Sequence, residues 1–175
     1  MTVSPMLNKF EFSVNKTKTA EGKLHLHADI VVDGVVINKK LAIDWKELTA
    51  SCKKTGSYYV LTCGCGDPGC GGIEEPTMVT VWENRIRWRM PYPEPAREYQ
   101  FDRMPMIKLI YNGILTIKQE VEAAGFKDIY KLWANYPVGP LGTDHATIEA
   151  CLDILHEIIQ QSETEPGRNL VPKIT

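Results

Sequence analysis

The chain has 175 residues, and its 20 basic and 22 acidic side chains leave a net charge of -2. This length can bury one substantial core, and 43% hydrophobic with 24% charged residues is typical of a globular protein. The charge provides no general attraction to nucleic acid or to an anionic membrane. No apolar run reaches the ~20 residues of a membrane helix, and the N-terminus lacks the apolar stretch of a signal peptide. We therefore expect a single cytoplasmic domain over residues 1–165 and a flexible tail over 166–175.

The first hundred residues predict antiparallel strands. Apolar and polar side chains alternate over residues 10–14 and 24–30, as in a sheet with one buried face. Asp33-Gly34 predicts a hairpin turn after the second of these runs. Residues 41–45 are expected to extend the sheet or cover its end. Further strands are predicted at residues 58–62, 78–82, 85–90 and 99–101.

The rest of the chain predicts helices. From residue 107 to 121 apolar side chains recur at helical spacing, although Asn112-Gly113 within this run is a strong hairpin signal. We favour a helix over 106–121 because the periodicity continues past Gln119; the hairpin would pair 107–111 with 114–119. A short helix is expected at 126–133, a loop at 136–142, and a last helix after Thr143 or Asp144.

The predicted fold class is therefore α+β. An antiparallel β-sheet occupies the N-terminal two-thirds, and two or three C-terminal helices pack on it. The last of these helices carries an apolar stripe that should face the core. The stripe consists of Ile148, Cys151, Leu152, Leu155, Ile158 and Ile159.

Three of the five cysteines, Cys63, Cys65 and Cys70, lie within eight residues of one another. The glycines and the proline among them exclude regular structure and predict a tight loop that brings the sulfurs together. Such a loop could bind zinc with Cys52 as the fourth ligand, although its gaps of one and four residues differ from the usual two. The alternatives are reduced thiols packed under the turn, or a disulfide from Cys70 to Cys63 or Cys65. In each case we expect a structural clip, and we expect Cys52 to be exposed.

Two charged surfaces are candidates for binding a partner. Arg85, Arg87 and Arg89 share one face of a predicted strand, where they could bind an acidic partner or pair with neighbouring glutamates. One short row of arginines is a weak signal for a nucleic-acid ligand in a chain whose net charge is negative. The second surface lies on the polar face of the last helix and would suit a basic partner. It consists of Asp153, Glu157 and Glu163.

The cysteine loop and its flanks resemble a motif of uncharacterised bacterial proteins. In those, a strand ends in Thr-Cys-x-Cys-Gly-x-x-Gly-Cys-x-Gly, a strand with Val-x-Trp follows, and Phe-Asp-Arg leads into a helix. Residues 62–72 match the first part and Phe101-Asp102-Arg103 the last. Val81-Trp82-Glu83 only approximates the middle part, and Arg87-Trp88 matches it better. The resemblance covers about residues 58–121. It implies this order of elements and a bacterial or phage origin, and it brings no activity.

The sequence contains no nucleophile elbow, phosphate-binding glycine loop or zinc-binding helix motif. We therefore expect a non-catalytic module that binds another protein, of an immunity, antitoxin-like or host-modulating kind, without a membrane partner. The alternative is a metal-dependent enzyme with zinc at Cys63, Cys65 and Cys70, which would need an open coordination position and a nearby base. The sequence does not determine the oligomeric state.

Overall fold

The computed structural model of the chain describes residues 6–18, 24–39, 41–63, 73–92, 94–123 and 145–164. It confirms the α+β class, with antiparallel strand pairs in the N-terminal two-thirds and two long helices at the C-terminal end. In chain order the elements are β1 (Phe10–Lys18), β2 (Leu24–Val32), β3 (Val35–Val36), β4 (Ala42–Ile43), α1 (Trp45–Lys53), β5 (Gly56–Tyr58), β6 (Leu61–Thr62), β7 (Thr77–Val81), β8 (Arg85–Met90), β9 (Arg97–Asp102), α2 (Arg103–Ala123) and α3 (His145–Thr164).

Strands β1, β2 and β3 form one sheet. β1 pairs with β2 along its whole length, from Phe10 opposite Val32 to Lys18 opposite Leu24. The predicted turn at Asp33-Gly34 is confirmed, because both residues have positive φ, 50° and 78°, as a tight hairpin between right-twisted strands requires. The predicted alternation is also confirmed along β2, since its even-numbered residues are buried from Leu26 to Val32.

A second sheet has the strand order β5-β7-β8-β9 and provides the face of interest below. Ile86, Trp88 and Met90 point inward and are buried, as the alternation in this segment predicts. The two sheets share one core, because Phe10 packs edge-on against Trp88 and Phe101 with ring centroids 6.1 and 5.3 Å apart. Because Ile86, Trp88 and Met90 are buried, the side chains that alternate with them in the second sheet point outward.

The three helices bury side chains in the same core as the two sheets. α2 confirms the predicted helix over 106–121, and the alternative hairpin is wrong, because Asn112-Gly113 lies inside α2. Of the six residues in the predicted stripe of α3, five are buried and Ile159 is partly buried. Among the helices of the described residues, none is long and apolar enough to cross a membrane.

Residues 41–62 differ from the prediction. Trp45 does not extend a strand but starts helix α1, where the Asp44 carboxylate accepts a hydrogen bond from the Glu47 backbone N–H at 3.0 Å. Aspartate followed three residues later by glutamate is a helix-start signal, so the sequence itself marks the beginning of α1. Residues 58–62 are not one strand either: β5 belongs to the second sheet, whereas β6 pairs with β4.

Several predictions fall on other parts of the chain. The helix at 126–133, the loop at 136–142, the start of the last helix at Thr143 or Asp144 and the tail at 166–175 lie outside the described residues. Cys65 and Cys70 also lie outside the described residues.

Candidate functional site

The second sheet presents an outer face on the side opposite its buried residues. Two of the large apolar side chains that the structure shows exposed lie on this face, Met78 at 50% and Trp82 at 43%. The strand register places Met78, Arg89 and Glu98 side by side across three strands. We call this surface the outer sheet face. It consists of Ser57, Met78, Thr80, Trp82, Arg85, Arg87, Arg89, Glu98, Gln100 and Asp102.

Arg87 lies at the centre of the outer sheet face and is held by three neighbours. Its guanidinium carbon lies 5.2 Å from the ring centroid of Trp82, within cation–π range. Its Nη2 donates to Thr80 Oγ1 at 3.3 Å, and its Nη1 lies 3.8 Å from Glu98 Oε1. The Arg87 side chain is therefore ordered before any partner arrives, and the exposed Trp82 ring is ordered with it.

The two flanking arginines keep free hydrogen-bonding capacity. Arg89 Nε lies 3.5 Å from Glu98 Oε2, and both side chains are more than half exposed, so this ion pair is weak. Arg85 stands opposite Asp102 in the register, yet no carboxylate of the described residues lies within 4.0 Å of it. The three arginines thus lie on one face of the sheet, as predicted, and Glu98 pairs with Arg87 and Arg89.

A cavity of about 370 Å³ opens at the Arg89 end of the outer sheet face. Pro76, Met78 and Pro91 contribute apolar wall. The charged groups of the lining are balanced, since two guanidinium groups face two carboxylates, those of Arg89, Arg97, Glu75 and Glu98. The Ser57 hydroxyl lies 3.1 Å from the Met78 sulfur. This contact holds the Met78 side chain where it forms part of both the face and the cavity.

Cys52, the predicted fourth zinc ligand, lies in the last turn of α1 and is fully buried. The prediction that it is exposed is wrong, because α1 carries it into the core, where its thiol donates to the Leu48 carbonyl at 3.4 Å. Burial raises the pKa of the Cys52 thiol to about 12. Zinc binds the thiolate, so this raised pKa disfavours Cys52 as a ligand.

Cys63 follows β6 and is disulfide-bonded. The disulfide was one of the three alternatives for the cysteine loop. Since Cys65 and Cys70 lie outside the described residues, a zinc site that includes them stays a prediction. Within the described part of the chain, no group of three or more histidine, cysteine or acidic side chains is placed to hold a metal ion.

The acidic side chains of α3 pair with lysines of the other helices. Glu157 lies 3.2 Å from Lys53 of α1, and Glu163 lies 3.1 Å from Lys108 of α2. Asp153 is exposed. Two of the three carboxylates predicted to bind a partner are thus already matched by cations of the same chain, which lowers the negative potential of this surface.

A second cavity, of about 320 Å³, lies between α1 and α3. Ala150, Cys151 and Ile154 line it, and Lys46 contributes its charged group. Burial raises the pKa of the Cys151 thiol, which disfavours the thiolate that a cysteine nucleophile requires.

The arginines of the outer sheet face were predicted from the sequence, whereas Met78, Trp82 and Arg97 were not. The signal was present, because the alternation that turns Arg85, Arg87 and Arg89 outward also turns Met78 outward on the neighbouring strand. Only the register shows that these side chains are adjacent. Comparison of the chain with protein-family models, with curated proteins and with solved structures finds no match.

Proposed function

We propose that this protein is a non-catalytic module that binds another protein through the outer sheet face. The observation that supports this most strongly is the presence of exposed Trp82 and Met78 among three arginines. Tryptophan, methionine and arginine are enriched in the buried centres of protein interfaces, and tryptophan and arginine are enriched among the residues that dominate binding energy. Apolar side chains exposed on a face with polar residues around them often mark a site of protein interaction.

The Arg87 and Trp82 side chains already hold each other in place, which supports the same proposal. Immobilising a flexible side chain on binding costs roughly 0.5–1.5 kcal/mol. Arg87 is already fixed by Trp82 and Thr80, so a partner that contacts the pair loses less entropy than it would with a mobile arginine. Together the two side chains form a rigid, partly apolar anchor.

The charges favour a protein partner over nucleic acid. Glu98 and Asp102 lie among the arginines and would repel a phosphate backbone, whereas an acidic protein segment can place its carboxylates selectively.

The test is a matched pair of triple variants used in affinity capture from the native cells. Arg85→Glu with Arg87→Glu and Arg89→Glu reverses the charge of the face. Lys9→Glu with Lys39→Glu and Lys46→Glu makes the same charge change at exposed lysines elsewhere. A protein retained by the parent and the lysine variant, but lost by the arginine variant, is the expected partner.

The Kd of that purified partner is then measured at low and moderate salt, and Trp82→Ala serves as a variant without charge change. We expect Trp82→Ala to weaken binding by about 2 kcal/mol or more if the ring is a binding hot spot. A folded arginine variant that keeps the parent Kd for every captured protein would refute the proposal.

A further inference from the structure

The charges of the outer sheet face are arranged in two rows that run side by side. Its basic row, on β8, is formed by Arg85, Arg87 and Arg89, and its acidic row, on β9, is formed by Glu98, Gln100 and Asp102. The register pairs the two rows across the sheet, with Arg85 beside Asp102, Arg87 beside Gln100 and Arg89 beside Glu98. Positive and negative charges therefore stand next to each other at both ends of the face.

Two copies of the outer sheet face can be stacked about a two-fold axis in two ways that keep their strands aligned, as packed sheets commonly are. An axis across the strands places Arg85 of one copy against Arg89 of the other, so like charges meet. An axis along the strands, between β8 and β9, instead places each basic row on the acidic row of the other copy. Arg89 then faces Glu98, and Arg85 faces Asp102, in both halves of the interface. Because like charges that face each other are unfavourable, the charges select the second arrangement.

The dimensions and the apolar side chains of the face fit the same arrangement. Sheets that pack face to face lie ~10 Å apart, a gap that arginine and glutamate side chains reach across from opposite sides. Exposed Met78 and Trp82 lie beside the basic row. Beside the acidic row, along the edge of β9, lies the segment that contains Met6, which is 93% exposed, and Asn8, whose backbone N–H donates to the Gln100 carbonyl at 2.7 Å. The axis along the strands stacks this segment of one copy on Met78 and Trp82 of the other, so exposed apolar side chains are available on both flanks of the ion pairs.

We infer that the outer sheet face pairs with the same face of a second copy of this chain, about the axis along the strands. Each copy then contributes a basic row and an acidic row to the interface, so every ion pair between the copies forms twice. The face contributes fewer residues than the ~20–30 per side of a standard interface, so the dimer is weak and its fraction depends on protein concentration. Resting on the proposed function, this self-pairing and the binding of another protein exclude each other, because both cover Arg87 and Trp82.

The test is sedimentation equilibrium of the purified chain over a range of concentrations at low salt, where the parent should be a reversible dimer. Arg89→Glu and Glu98→Arg should each raise the dimer Kd by about tenfold or more, because each brings like charges together twice in the homodimer. An equimolar mixture of these two variants should restore nearly the parent Kd, since the two reversed charges then face each other. The matched control is Asp102→Arg, which makes the same charge change as Glu98→Arg at the other end of the acidic row. Mixed with Arg89→Glu, it should leave the dimer as weak as Arg89→Glu does alone.

A parent chain that sediments as a monomer at every concentration would overturn the inference, and so would equal restoration of the dimer by the two mixtures. Circular dichroism checks that each variant is folded, which is expected because Arg89, Glu98 and Asp102 are exposed. If a charge reversal unfolds the chain, Arg89→Gln and Glu98→Gln take its place, because they remove charge without adding repulsion. Each should weaken the dimer severalfold, and neutral variants that keep the parent Kd would refute the pairing.

Three further outcomes separate this inference from the proposed function. A partner captured through the outer sheet face and titrated into the parent dimer should form a complex with one copy of the chain, and a complex that contains the intact dimer would overturn the mutual exclusion. A monomeric parent, with a partner that the arginine triple variant loses, refutes the self-pairing and leaves the proposed function standing. A dimer that responds to the variants as expected, with no captured protein other than the chain itself, supports the self-pairing and refutes the proposed function.

Discussion

The aromatic ring of Phe12 lies directly against the backbone of Gly113, bringing β1 and α2 together at this point. A Cβ atom built on Gly113 would lie 2.2 Å from Cδ1 and 2.4 Å from Cε1 of the ring, distances that no real Cβ contact tolerates. The glycine is therefore needed inside a helix, where it would otherwise be unfavourable. Its role is to let a helix approach a strand closely, not to form a turn.

Gly113→Ala should destabilise the protein, although alanine is the better helix former. The helix would gain about 1 kcal/mol in propensity, whereas overpacking against Phe12 costs about 1–3 kcal/mol. Urea denaturation should therefore show a net loss. In a Phe12→Ala background the same change should become stabilising, because the ring is absent. A destabilisation that is equal in both backgrounds would show that the contact is not the cause.

Leu155→Ala in α3 should lower the free energy of unfolding by about 2–5 kcal/mol, since Leu155 is fully buried in the core. Glu157→Gln, two residues along, weakens exposed contacts with Lys53 and Gln161 and should cost less than about 1 kcal/mol. Chemical denaturation of both variants measures the contrast. Similar losses for the two would mean that α3 does not anchor the domain through its apolar stripe.

The Asn38 side chain forms hydrogen bonds with the backbone of β2, as a neighbouring strand would. Its side-chain oxygen accepts from the Ile30 backbone N–H at 2.8 Å, and its side-chain nitrogen donates to the Ala28 carbonyl at 2.9 Å, with Asn38 itself buried. Asn38→Ala should cost about 2–4 kcal/mol, because two buried backbone groups lose their partners. Native-state hydrogen exchange should show faster exchange at the Ile30 amide. Lys39→Ala, at an exposed neighbour, should leave that amide unchanged.

Cys52 should make stability fall between pH 9 and about pH 12. In the unfolded chain the thiol loses its proton near pH 9, whereas burial keeps it protonated in the folded protein up to about pH 12. Between these values the folded state binds more protons, so raising the pH favours unfolding, by up to about 1.4 kcal/mol per pH unit. Cys52→Ala should remove this part of the slope in denaturation experiments across the range. Parallel slopes for parent and variant would contradict the buried position of the thiol.

The alternation in β2 and β8 and the spacing in α2 and α3 were sufficient to predict these elements. In α2 the apolar residues continue at helical spacing on both sides of Gly113, so the pattern outweighs one turn signal. Helix α1 was missed because it has nine residues and buries polar Thr49 and Ser51, which interrupts its apolar pattern. Because α1 was not predicted, Cys52 was also wrongly predicted to be exposed.

The sequence by itself determined which side chains of each long strand and helix share a face, because the backbone geometry sets a period of 2 or 3.6 residues. This was enough to place Arg85, Arg87 and Arg89 together. Only the tertiary structure decided that Met78 and Glu98 flank Arg89, that a cavity opens between Met78 and Arg97, and that Glu163 of α3 pairs with Lys108 of α2. These residues are far apart in the chain, and their distances follow from how strands pair and helices pack around the shared core, which no local period specifies.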